Sequence, residues 1–134
     1  MPGTIPAQEI TAMPLVKVRR RSSKIDDKDL DLITEALTIV VAKALTCEEG
    51  GRLPPSDIMI EVSEVGPYDK NVKDLNIRVL AHDYPSRRGE NLASLKTRRR
   101  AIQEVVKAHL DAGTTYYVWP ILAATSYGSD TEED

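Results

Sequence analysis

The sequence has no phenylalanine, a single tryptophan, one cysteine and two histidines in 134 residues. Each shortage excludes something. One cysteine, Cys47, rules out an internal disulfide, and with only His82 and His109 beside it a structural zinc site has too few ligands. Cys47 reads as a small buried residue. No apolar run approaches the roughly 18 residues of a membrane span. Residues 1–12 (MPGTIPAQEITA) lack the cationic start and apolar stretch of a secretory signal, which predicts a cytoplasmic protein. The scarcity of aromatics and the net charge of −3 argue against a nucleic-acid binder, which is normally basic and offers rings for stacking. No glycine-rich phosphate loop, nucleophile elbow or paired-cysteine motif is present, so no cofactor is expected.

What is there is a well-patterned chain with 41% hydrophobic and 29% charged residues, enough apolar mass for one domain. The basic residues cluster at Arg19–Arg21 with Lys24, at Arg87–Arg88 and at Lys96–Arg100, and each cluster reads first as a solvated face. Residues 1–12 read as a flexible arm and 129–134 as an acidic tail, leaving a domain over 13–128.

Within it, Leu15–Arg20 (LVKVRR) has the mixture of a short strand. Asp26 or Asp27 caps a helix whose Leu30, Ile33, Leu37, Val40, Val41, Ala44 and Leu45 recur at three and four. Glu49-Gly50-Gly51 and Pro54-Pro55 stop it. Residues 57–65 alternate as a second strand and 75–82 as a third. A second helix spans about Glu90 to Leu110, with Leu92, Leu95, Ile102, Val105 and Val106 inward and Arg98 outward. Thr115 to about Thr125 is the last strand, which Pro120 restricts to an edge or a bulge.

The order is strand-helix-strand twice, in units 13–66 and 75–128. An offset of 62 residues overlays Leu15 on Ile77, Leu30 on Leu92, Ile33 on Leu95 and Val40 on Ile102, the mark of a structural pseudo-repeat. The expected fold is an α/β (α+β) domain, a four-stranded mixed sheet with two helices on one face. Its open edges point to a symmetric homo-oligomer. A ferredoxin-like βαββαβ module, binding RNA or a small regulator, shares the element order. Strand pairing separates the two, since the split arrangement inserts a strand between the paired strands of each unit.

Met13-Pro14-Leu15-Val16-Lys17-Val18, then Lys24-Ile25-Asp26-Asp27-Lys28, the amphipathic helix and Ile58–Val65 resemble the opening unit of the tautomerase superfamily. The doubled unit is similar to that superfamily's fused and macrophage migration inhibitory factor-like layouts, which are trimeric. The resemblance implies an isomerase acting on a small keto-enol carboxylate through an N-terminal proline, here Pro14. Its secondary amine, held in a water-poor pocket, is a general base near neutral pH. An internal proline nitrogen is an amide and carries no such lone pair. Pro14 therefore acts only if translation starts at Met13 or the arm is removed, and otherwise marks a non-enzymatic oligomer of the same fold.

Lys24 stands where the 4-oxalocrotonate group has a carboxylate-binding arginine, keeping the charge without the fork. Met59 falls where that group has another arginine, a departure from the dicarboxylate pattern. Arg78, Arg87 and Arg88 are the candidate replacements, with Tyr117, next to Tyr116 and Trp119, as a pocket wall. His82 and Asp83 are adjacent on a strand and face opposite ways, and His109 lies near a helix C-terminus.

Overall fold

The computed structural model describes residues 14–126 and 128–130. The expected arm, 1–12, and the last residues of the tail, 131–134, lie outside them. Four strands, β1 (Leu15–Arg20), β2 (Met59–Glu64), β3 (Leu75–His82) and β4 (Tyr116–Ala123), form one sheet in the order β2-β1-β3-β4. Helix α1 (Asp27–Leu45) joins β1 to β2, and α2 (Ala93–Ala108) joins β3 to β4. β1 pairs parallel with β2, β3 pairs parallel with β4, and the two units meet through the antiparallel β1–β3 pair. No strand is inserted between β1 and β2, so the ferredoxin-like alternative is excluded.

The alternation in β1 separates the two faces. Val16 and Val18 lie beside Val79 and Ile77 on the helix-covered face, and Lys17 lies beside Arg78 on the open one. The core is built on the first set, with Ile33, Leu37, Val41 and Leu45 of α1 and Ile102 and Val106 of α2, all buried. Asp26 caps α1 through its side chain, which accepts the Asp29 N–H at 2.8 Å. Pro120 sits in β4, an edge strand, where its missing N–H disturbs no second ladder.

Two expectations need correction. The 62-residue offset puts Leu15, on the open face, over Ile77, on the buried face. The two βαβ units are real, but a one-residue slip in a strand exchanges its faces, so that offset does not superimpose side-chain roles. The second helix begins at Ala93 because Asn91 (φ 53°) and Leu92 (φ 62°) take the left-handed backbone, and Leu92 is 54% exposed instead of inward. Gly89 (φ 69°) precedes them; a Cβ there would lie 2.7 Å from Ser94, so the approach of this turn to α2 requires glycine.

Arg98, expected outward, turns in towards the end of α1. Its Nη1 donates to the carbonyls of Ala44 (2.7 Å) and Thr46 (2.8 Å). Arg87 Nε donates to Leu45 O at 3.0 Å. Two guanidiniums of the second unit thus satisfy the carbonyls that close the first unit's helix, at its negative end.

Candidate functional site

Pro14 is buried where β1 begins, and its carbonyl accepts the Met59 N–H at 3.1 Å. Continuing the register by one residue sets it between Ile58 and Ala81, both buried. Pro85 opens a single helical turn, Pro85–Arg88, just past β3, and this turn drives Arg87 into the interior at the same end of the sheet. Arg87 is fully buried, its guanidinium 4.9 Å from the Tyr84 ring centroid. Nε is held by Leu45 O and Nη1 by His82 O at 3.0 Å, while Nη2 is buried without a partner. Burial pulls its pKa below the ordinary guanidinium value, yet an arginine stays charged. Arg88, in the same turn, is exposed and paired with Asp83 at 2.7 Å.

Lys24 lies at the other end of β1, exposed in the turn closed by its N–H to Arg21 O at 2.9 Å. Six residues of strand separate it from Pro14, roughly 20 Å at about 3.3 Å per residue, so one chain does not bring the two together. Its neighbour in charge is Asp74, whose carboxyl accepts the Thr115 N–H and Arg21 Nε, each at 3.0 Å. Those bonds, the Thr115 N–H foremost, hold the Asp74 pKa below its usual value despite burial. Asp74 thereby ties the entries of β3 and β4 to the exit of β1.

Arg78 and Tyr117 do meet, on the open face of the sheet. Arg78 Nε donates to Tyr117 Oη at 3.3 Å, and the guanidinium lies 5.8 Å from the Trp119 ring centroid. They line a groove of about 350 Å³ with Lys17, Arg19, Glu61 and Asn76. Arg19 is engaged by Asp69 at 3.0 Å, and the Asn76 amide is spent on the Arg19 and Lys73 backbone. Lys17 was absent from the sequence candidates. The signal was available, because alternation in LVKVRR puts Lys17 opposite Val16 and Val18, but only the β1–β3 register places it beside Arg78.

Among the described residues no group of three or more His, Cys, Asp or Glu side chains is placed to hold a metal ion. No helix among them is long and apolar enough to cross a membrane. Cys47 is buried, with its sulfur accepting the Gly50 N–H at 3.3 Å.

No protein-family model and no curated protein sequence matches the chain. Solved structures do. FG41 malonate semialdehyde decarboxylase, inhibited by 3-bromopropiolate, superimposes with a TM-score of 0.63 at 16% identity, over 87% of this chain and 91% of its own. A fused 4-OT, solved as an asymmetric trimer, gives 0.62 at 16% identity over 88% and 94%. Leishmania major MIF2 gives 0.57 at 16% identity over 88% and 94%. With strand order, pairing directions and helix placement already defined, these likenesses identify the architecture: the chain has the fold of the tautomerase superfamily.

Proposed function

We propose that this protein is an isomerase of the tautomerase kind, converting a small enolisable keto-carboxylate with the secondary amine of Pro14 as base once the residues before it are removed. The observation that carries the reading is the conjunction at one end of the sheet of a buried proline heading β1 and a buried arginine with an unspent donor. Burial disfavours the ammonium form, so a freed Pro14 nitrogen titrates below the roughly 7.7–8.0 of an ordinary α-amine and is available as a base at neutral pH. The nitrogen takes the enol proton, the C=C pair shifts to form the carbonyl, and the ammonium returns its proton to carbon. Arg87 Nη2, with Arg88 from the same turn, supplies cations for the substrate carboxylate. Lys24 serves a Pro14 site only across a subunit boundary, which fits a trimer such as that solved for the fused 4-OT. The malonate semialdehyde decarboxylase among the structural neighbours is named for a small oxo-acid substrate, which favours the same substrate class.

The chain as given supports one other reading. With residues 1–13 attached the Pro14 nitrogen is an amide, and the protein is then a non-enzymatic oligomer of this fold. Ketonisation of phenylenolpyruvate by chains starting at Met1 and at Pro14, with each terminus verified by intact mass, separates the two. Activity confined to the Pro14 chain and abolished by Pro14→Ala is the expected result. If both chains are inactive, or Pro14→Ala changes nothing, the catalytic reading is wrong.

A further inference from the structure

The open sheet face holds a charge arrangement that the fold itself does not require. Lys17 and Arg78 are direct cross-strand neighbours in the antiparallel β1–β3 pair, and like charges in such a pair oppose pairing. Neither joins any of the five ion pairs among the described residues, which engage Arg19, Arg20, Arg21 and Arg88. Glu61 flanks Lys17 on the other side and forms no ion pair either. Arg78 is held in place: Tyr117 Oη takes its Nε, and Trp119 lies 5.8 Å away under the guanidinium. Both terminal Nη groups, the pair that grips an oxyanion end-on, are left without a protein acceptor. The groove they line also has apolar walls, Val62, Val72 and Tyr117, and Tyr117 stands edge-on to Trp119 at 6.2 Å between centroids. Its volume of about 350 Å³ is within the range of small-molecule sites.

We propose that this groove binds a small aromatic monocarboxylate, its carboxylate clamped by the two Nη groups of Arg78 and the ammonium of Lys17 and its ring against Tyr117. The site is separate from the head of β1 and does not depend on Pro14, so it exists in the full chain and its test leaves the catalytic reading untouched. In the absence of ligand the Lys17–Arg78 repulsion costs stability; a bound carboxylate removes it and fills the groove.

The test is thermal unfolding and calorimetric titration of the full chain with benzoate, with inorganic phosphate as the comparison anion. Benzoate is expected to bind and to raise the unfolding temperature. Arg78→Lys, which keeps the charge and loses the fork, is expected to weaken binding about tenfold, and Lys17→Gln to weaken it by a similar factor. Lys17→Gln should also raise the unfolding temperature without ligand, a change that mere damage to the sheet does not produce. The proposal is overturned if benzoate does not bind, if phosphate binds and benzoate does not, or if benzoate binding persists unchanged in the Arg78→Gln, Lys17→Gln double variant.

Discussion

Ser86 and Glu49 meet between the turn after β3 and the loop after α1. The Ser86 hydroxyl and backbone N–H both donate to the Glu49 carboxylate, the N–H at 3.1 Å. The hydroxyl bond foremost pulls the carboxyl from 4.5 to about 2. A group whose pKa is lower folded than unfolded binds more protons in the unfolded chain. Its stabilisation is therefore complete above about pH 4.5 and is lost as pH falls towards 2. Glu49→Gln is expected to remove that part of the acid slope; an unfolding-temperature profile between pH 7 and pH 2 that is identical in the variant refutes it. At this scale the sequence was informative about residue type and silent about partners. Arg87 and Arg88 are adjacent and chemically alike, yet one is fully buried on backbone carbonyls and the other is exposed on Asp83. Nothing in their local spacing distinguishes them, because the difference comes from the helical turn that points one inward.

Periodicity located every main element, since burying one face of a helix or strand imposes a 3.6- or 2-residue pattern that survives in sequence. The termini were less legible. Asn91 and Leu92 look helical in composition, and Leu92 continues the apolar series, but the glycine-enabled turn at Gly89 diverts the backbone before α2 starts. The same limit applies to Arg98, which reads as one more outward cation of a basic helix. Its contacts lie more than 50 residues away, at Ala44 and Thr46. Removing it exposes a consequence at the level of the element: Arg98→Ala leaves those carbonyls at the end of α1 without donors in a half-buried setting. It is expected to cost about 2–3 kcal/mol in denaturant unfolding, with Arg98→Lys recovering part of it. A loss below about 0.5 kcal/mol, the scale of an ordinary surface change, contradicts this capping role.

As a whole, the sheet ends in two unprotected edges. β2 carries Val62 at 45% exposure, and β4 carries Trp119 at 55%. Such edges call for a partner, and a symmetric trimer is the expected one. Light scattering should give three times the chain mass, and Val62→Asp should lower it; a wild-type monomer at all concentrations tested sinks the trimer. The candidate site divides along the same line as the fold. The sequence alone determined the double strand-helix-strand order, the buried and open sides of β1, the edge position demanded by Pro120 and the placement of Pro14 at the head of the first strand. All of these follow from local rules of periodicity, backbone geometry and capping. Only the tertiary structure decided that β1 and β3 pair antiparallel, that Lys24 lies a strand's length from Pro14, that Arg87 and Arg98 close α1, and that Lys17 faces Arg78. Those are long-range registers, and a one-residue change in register would have put every one of those side chains on the other face.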